Sequence, residues 1–281
     1  MPTFDPALDL PSPADMTYAL RARLTGFDAI DWTAETGSTN TDLLTRLRNQ
    51  TGPAGTLLCG THLQQAGRGR AGRRFEASSA LMFSCAFPVR MAPVHLPSLS
   101  PVIGAVACEV LRRHASTELA DSLGVKWPND IQLGSAKLAG ILIESVRNTA
   151  AGPDAYVIVV GMGTNLRGSA ALSQSLGRAI ADWSQVYPST PLPELVAELA
   201  EAWHTALQCC ADHGFAAFQA RYRAVDILYG QAVNVISDGR TLHSGIAQGT
   251  DDFGRLLIDE QQGNAPAAIS VGEISIRTQQ P

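Results

Sequence analysis

Gly67-Arg68-Gly69-Arg70-Ala71-Gly72-Arg73-Arg74-Phe75 is the stretch on which the fold turns. Read literally, Gly67-x-Gly69-x-x-Gly72 matches a dinucleotide-binding fingerprint, which needs a helix directly after the glycines and an acidic residue about 20 residues on. The next apolar segment, Ala80 to Val89, instead reads as a strand. The Rossmann version is therefore rejected. Four arginines within seven residues still need a local reason in a chain of formal net charge −5. Glycines let the backbone approach an anion while planar guanidinium groups close over it, so one reading is a phosphate-binding loop. A solvated basic loop is an equally good reading of this stretch alone. An arginine- and glycine-rich nucleic-acid tether is a third, disfavoured by a single short copy in a globular chain of acidic balance.

The 281 residues are 45% hydrophobic and 17% charged, enough for one good core and a small second domain. Cys59, Cys85, Cys108, Cys209 and Cys210 are odd in number and lack zinc-type spacing, which suits small core residues in a reducing cytoplasm. The amino terminus has no basic start or apolar core, and no apolar run reads as long enough to span a membrane. The six histidines show no ligand spacing, so no protein-held metal is expected. Only Lys126 and Lys137 are lysine, and both fall in one short stretch, which marks that stretch as a functional candidate.

Working outward, residues 1–16 read as an unstructured lead-in and Met16–Leu24 as a short helix. After a short strand at Trp32–Glu35, Thr39 and Asp42 resemble a capping box ahead of a helix with Leu43, Leu44 and Leu47 on one face. Such a helix start is either simply a good cap or a site for a polar ligand. Gly55–His62 and Leu81–Val89 read as buried strands, and Leu99–Arg113 as an amphipathic helix. Val125–Ile131 is a strand broken by Pro128-Asn129-Asp130, and a hairpin through Gly134 and Ser135 returns as Lys137–Glu144. Lys137 either projects a fixed charge into a pocket or guards a strand edge. Tyr156–Val160 runs into Gly161-Met162-Gly163-Thr164-Asn165, where two glycines mark close approach by a ligand or another segment. Helices follow at Leu172–Trp183, Pro191–Asp212 and Gly214–Arg223, the second with a buried stripe of Val196, Leu199, Ala200 and Trp203. From Gln231 five short strands suggest a small barrel of about fifty residues.

Ser38-Thr39-Asn40, Gln64 with Gly67–Phe75, Lys126–Asp130 with Lys137–Glu144, and Gly161–Asn165, in that order, resemble the signature segments of the bacterial biotin-protein ligase family. Gly245–Gly249 and Gly272–Arg277 are similar to its carboxy-terminal barrel. The resemblance implies an α+β fold: a mixed-sheet catalytic domain of the biotin/lipoate-protein ligase type over residues 26–228, after a lead-in at 1–25, with an SH3-like β-barrel at 229–281. It implies ligation of biotin to a lysine of the biotin carboxyl carrier protein of acetyl-CoA carboxylase, through biotinyl-adenylate, with magnesium accompanying ATP.

On the matching positions, the resemblance places Ser38, Thr39, Asn40 and Gln64 at biotin's ureido head. It puts Arg68, Gly69 and Arg70 against carboxylate and phosphate, with Gly140, Gly161 and Gly163 giving backbone access to biotin. Lys137 bridges carboxylate and α-phosphate, with Arg70 beside it, and Asp130 orients the incoming lysine or is the turn's structural carboxylate. The nucleotide falls to Arg73, Phe75, Lys126, Asn129, Asn165 and Arg277, together with Arg68, Arg70 and Lys137. Phe75 stands where the family usually has tryptophan, which implies weaker nucleotide affinity. Only 37 residues precede Ser38, without two amphipathic helices and a basic recognition face, so the monofunctional type without specific DNA binding is expected. A lipoate-protein ligase is the nearest alternative; a sheet edge could pair two copies, as in some relatives.

Overall fold

The structure is a computed structural model that describes residues 9–49, 53–67, 69, 79–186, 191–237, 239–260, 263–270 and 275–278. The first helix, α1 (Pro13–Arg23), precedes β1 (Ala29–Thr36), α2 (Thr39–Asn49), β2 (Leu57–Gln64) and β3 (Ser79–Arg90). Then come α3 (Leu99–His114), α4 (Thr117–Ala120), β4 (Leu123–Lys126), β5 (Asp130–Leu133), β6 (Ala136–Arg147) and β7 (Ala155–Arg167). Next are α5 (Ser169–Leu176), α6 (Leu192–His213) and α7 (Gln219–Arg223). Last are β8 (Ala232–Ser237), β9 (Arg240–Thr250), β10 (Leu256–Asp259), β11 (Ala267–Ile269) and β12 (Ser275–Thr278).

Strands β1 to β7 make one sheet in the order β1-β2-β3-β7-β6-β5-β4, parallel between β1 and β2 and antiparallel elsewhere. One face is covered by α1, α3 and α6, and this side holds the main core. The stripe expected on α6 is there: Val196, Leu199, Ala200 and Trp203 are buried, and the Trp203 ring stacks on Phe83 of β3 with centroids 5.1 Å apart. Each such fully buried side chain contributes roughly 1.5–3 kcal/mol relative to exposure. On the opposite face α2 lays Leu43 and Leu44 over Leu57, Cys59, Ala86, Val157 and Val159. Beyond these leucines the same face of the sheet continues toward Gly161 and Gly163.

Several expectations need correction. The first helix begins at Pro13, capped by Ser12, whose Oγ accepts from the Asp15 N–H at 3.2 Å, and Met16 and Leu20 are buried in the main core. Strand β7 is continuous through the glycines to Arg167 because β3 and β6 pair with it on both sides. The helix expected over Leu172–Trp183 is instead α5, which ends before Gly177 in the left-handed region at φ +61°, followed by a separate 3-10 turn at Trp183–Val186. Between them Ile180 bridges in parallel to Lys137, so the backbone there is drawn to the sheet and cannot stay helical. Gly214–Arg223 opens as a 3-10 turn over Phe215–Phe218 before α7. By length and composition alone Pro93–His114 would suffice to cross a membrane, contrary to expectation. Most of it is α3, and it reads as apolar because it is buried between the sheet and α6.

The last five strands form an antiparallel sheet in the order β11-β10-β9-β8-β12. Among the described residues no pairing joins β11 to β12, so what is seen is a five-stranded run of neighbours and not a closed barrel. This sheet is tied to the rest by Trp127, buried, whose Nε1 donates to the Gly254 carbonyl at 3.0 Å. Gly254 has φ +73°, and a Cβ there would lie 3.1 Å from Pro101 and 3.2 Å from Phe215, so glycine is required by both conformation and space.

Candidate active site

The part of the sheet face around Gly161 and Gly163 is the floor of a cavity of about 590 Å³. Period-two alternation explains where it lies. On β7 the side facing α2 carries Val157 and Val159, which fill the space under the helix, and then Gly161, which admits Asn40 from the start of that helix, and Gly163. Registered beside them are Ser84 of β3 and Leu142 of β6 at Gly161, and Met82 and Gly140 at Gly163. The cavity thus lies where the apolar packing under α2 gives way to glycines and to the side chains of Asn40 and Ser84.

Every site residue expected from the sequence and lying among the described residues lines this one cavity: Ser38, Thr39, Asn40, Gln64, Gly69, Lys126, Asn129, Asp130, Lys137, Gly140, Gly161, Gly163, Asn165 and Arg277. Arg68, Arg70, Arg73 and Phe75 lie outside the described residues.

One end is a buried hydrogen-bond chain. The cap of α2 is Ser38, not Thr39: the Ser38 carbonyl accepts from the Asp42 N–H at 2.9 Å, and its Oγ from Thr41 N–H at 3.5 Å. Asp42 is not the return arm of a capping box, since its carboxylate accepts from Thr36 Oγ1 at 2.5 Å. This frees Thr39 to point inward, where its Oγ1 is 2.6 Å from Ser84 Oγ and 3.2 Å from Gln64 Oε1, and its N–H donates to that same Oε1 at 2.8 Å. Ser84 Oγ donates to Asn40 Oδ1 at 2.6 Å, and Asn40 Nδ2 donates to Glu144 Oε2 at 2.8 Å. A Cβ on Gly161 would overlap Asn40 Oδ1 and lie 2.9 Å from its Cγ, so the close approach that the glycine permits is by α2 itself.

The other end is cationic. Lys137 Nζ donates to Asp130 Oδ1 at 2.6 Å, and a Cβ on Gly140 would lie 3.1 Å from that nitrogen, so Gly140 is the space in which the ammonium rests. The Lys137 backbone is clamped: its N–H donates to Ala179 O at 3.1 Å, and its carbonyl accepts from Ala181 N–H at 2.9 Å and Asn165 Nδ2 at 3.4 Å. Burial, joined by Lys137, Arg277 and Arg178, pulls the Lys126 ammonium below the ordinary 10.5 of lysine, against the opposing field of Asp130. Four cations therefore line this end with one carboxylate, Asp130, among the described residues. Arg277 is brought in by β12, paired to β8. Asn165 is buried and spends its Nδ2 on Lys137 O and Ala181 O, which leaves its Oδ1 an acceptor with no partner.

Sequence reading missed Ser84, Arg178, Leu172, Leu176 and the role of Glu144. Ser84 carried a signal: a lone hydroxyl at an inward position of a buried apolar strand must find a polar partner. Leu172 and Leu176, four apart on α5, face the cavity, a face that a helix over Leu172–Trp183 does not reveal. Arg178 had no local signal, since only the parallel bridge at Ile180 brings it to the sheet.

Comparison with known proteins follows this geometry. Residues 32–165 match the Biotin/lipoate A/B protein ligase family, and residues 228–277 match the biotin protein ligase C terminal domain. The chain is 33% identical over 244 residues to the bifunctional ligase/repressor BirA of Escherichia coli, covering 86% of this chain and 72% of that one. It is 32% identical over 259 residues to the biotin--[acetyl-CoA-carboxylase] ligase of Mycobacterium tuberculosis, covering 89% of each. Its fold is that of the biotin protein ligase from Aquifex aeolicus solved in complex with biotin and ATP, with a TM-score of 0.69 at 22% identity over 90% of this chain and 100% of that one. With both segments matched and this identity over most of the relatives' length, the chain belongs to the biotin-protein ligase family.

Proposed function

We propose that this chain activates biotin with ATP and transfers it to a lysine of a biotin carboxyl carrier domain, acting as a biotin--[acetyl-CoA-carboxylase] ligase. The observation that carries this reading is the polarity of this cavity: a neutral hydrogen-bonding end built from Thr39, Asn40, Gln64 and Ser84, and a cationic end built from Lys126, Lys137, Arg178 and Arg277. Biotin has a neutral ureido head and an anionic carboxylate tail, and ATP brings more negative charge to the tail end. A lipoyl dithiolane has neither N–H nor carbonyl to use the first end.

The biotin carboxylate oxygen attacks the α-phosphorus and pyrophosphate leaves, giving biotinyl-adenylate. The acceptor lysine's amine then attacks the acyl carbon, AMP leaves, and an amide forms. Both steps need charge placed for anions and exclusion of water more than a nucleophilic side chain. At the cationic end Lys137 is the cation for carboxylate and phosphate; Asp130, on its Nζ, orients it and meets the incoming ammonium. Magnesium would arrive with ATP and neutralise phosphate charge, held by the nucleotide more than by the protein, since the one carboxylate lining the cavity among the described residues, Asp130, is engaged by Lys137. A cytoplasmic setting fits the five free cysteines.

The test is ATP–pyrophosphate exchange by the purified protein with biotin, with lipoate and with neither. Exchange is expected with biotin alone; exchange with lipoate alone would reassign the substrate. Asn165 Oδ1 can only accept, and a purine with an exocyclic amine at position 6 answers it, so inosine triphosphate is expected to support exchange at least tenfold less efficiently than ATP. Equal use of both would detach Asn165 from the base.

Lys126 adds a pH dependence. A polyphosphate beside it raises its lowered pKa back toward 10.5, so nucleotide binding takes up a proton at alkaline pH, and affinity falls as pH rises between the lowered value and 10.5. Calorimetry in two buffers of different ionisation heat reads this uptake directly; identical heats throughout the alkaline range up to pH 10.5 would remove Lys126 from the phosphate site.

A further inference from the structure

We propose that Glu144 is a positioning residue for the biotin head: its carboxylate sets which way the Asn40 amide faces and thereby gives the head-group end of the cavity its hydrogen-bonding polarity. The inference rests on the biotin reading above. Oxygen and nitrogen of an asparagine amide are nearly the same size, so only the surrounding partners choose between the two flips. At Asn40 two acceptors face the nitrogen: Glu144 Oε2 at 2.8 Å and the Leu142 carbonyl at 3.5 Å. Flipped, Asn40 would set its oxygen against a carboxylate, with like partial charges in a buried setting. The carboxylate can only accept, and so it forbids the flip.

The consequence runs along the chain. With Nδ2 committed to Glu144, Asn40 Oδ1 receives Ser84 Oγ–H at 2.6 Å, and Ser84 Oγ is then free to accept from Thr39 Oγ1 at 2.6 Å. Thr39 N–H in turn holds Gln64 Oε1 at 2.8 Å, which turns Gln64 Nε2 outward as a donor, its present partner being the weak acceptor Met82 Sδ at 3.3 Å. One amide thus offers the cavity an oxygen with a spare lone pair and the other offers N–H. A ureido ring needs that pair, an acceptor for its N–H and a donor for its carbonyl. Asn40 is 5% exposed and Ser84 fully buried, so their orientation is set by protein partners more than by bulk solvent. Glu144 itself does not line the cavity and never touches the reacting atoms; it acts through Asn40.

Glu144 is also where this is cheapest to build. In the β6–β7 register it sits opposite Val159, the last apolar residue under α2, one alternation before Leu142 and the first glycine, Gly161. It therefore stands at the rim between packed helix and open cavity, within reach of Asn40 in the first turn of α2 and still partly exposed at its own carboxylate.

The experiment compares wild type with Glu144→Gln and Glu144→Ala in ATP–pyrophosphate exchange, with biotin affinity measured by calorimetry. Glutamine keeps the shape but can present either oxygen or N–H, so it permits both flips. Glu144→Gln is expected to raise the KM and Kd for biotin about tenfold, and Glu144→Ala about 100-fold, while kcat and the KM for ATP stay within about twofold. Biotin affinities within twofold of wild type in both variants would overturn the proposal, as would a parallel rise in both KM values with a fallen melting temperature, which is what a merely structural residue gives. Absence of biotin-dependent exchange in the wild type would instead overturn the biotin reading itself.

Discussion

Lys137→Ala is expected to lower the rate of biotin-dependent ATP–pyrophosphate exchange by about 100- to 1000-fold, the usual effect of deleting a preorganised charge that faces a developing anion. The loss should fall on kcat, with biotin Kd changed little, because the head-group hydrogen bonds are made at the other end of the cavity. Preorganisation is visible in the backbone: the Lys137 N–H and carbonyl are both held by the 179–181 segment, and Asn165 adds a further bond. Lys137→Arg should not restore activity. The ammonium rests against Gly140, where even a Cβ would come to 3.1 Å, and a planar guanidinium is wider. Deletion also strips Asp130 of its partner at 2.6 Å, so Lys137→Ala/Asp130→Asn should unfold at a higher temperature than Lys137→Ala while remaining inactive. Exchange within tenfold of wild type in Lys137→Ala would end its assignment as the cation of the adenylation step.

Gly161→Ala should weaken biotin binding at least 100-fold. The added methyl cannot coexist with Asn40, since it would overlap Oδ1, sit 2.9 Å from Cγ and press on Ser84 Oγ at 3.0 Å. Those atoms belong to a backbone-anchored helix start and a central strand, so the amide must swing and the Ser84–Asn40–Glu144 bonds break together. Overpacking of this kind costs about 1–3 kcal/mol of stability as well. Gly26→Ala, with nothing within 4 Å of the new carbon, controls for the loss of a glycine and should leave both quantities alone. Calorimetric titration with biotin and a thermal melt measure the two effects; an unchanged Kd in Gly161→Ala would mean that Asn40 is not held as described.

The contrast between Ser84 and Lys137 shows what could be read locally. Lys137 was marked by composition, as one of two lysines in the chain, and by its place beside the glycine-flanked hairpin strand. Ser84 sits inside Ala80–Val89, where every neighbour argues for core, and its meaning depends on β3 lying next to β7, far away in sequence. Glu144 reads from the sequence as no more than the end of a strand, because its partner Asn40 reaches it across 104 positions. The misplaced helix at 172–183 has the same origin. Its apolar spacing is compatible with a longer helix, but Gly177 turns left-handed and Ile180 then bridges to Lys137, which draws the chain to the sheet.

Legible in the chain alone is whatever is encoded over a few residues: strand and helix periods, the turn at Pro128–Asp130, the buried stripe of α6, and the motif segments whose side chains name the family and its chemistry. Those follow from backbone stereochemistry and side-chain type, which act at short range. The tertiary structure alone decided the strand order, the cavity that opens where Val157 and Val159 give way to Gly161 and Gly163, and the direction of each hydrogen bond from Glu144 to Gln64. Donor and acceptor roles in a buried chain are set by all its members at once, and those members meet only when the sheet is assembled.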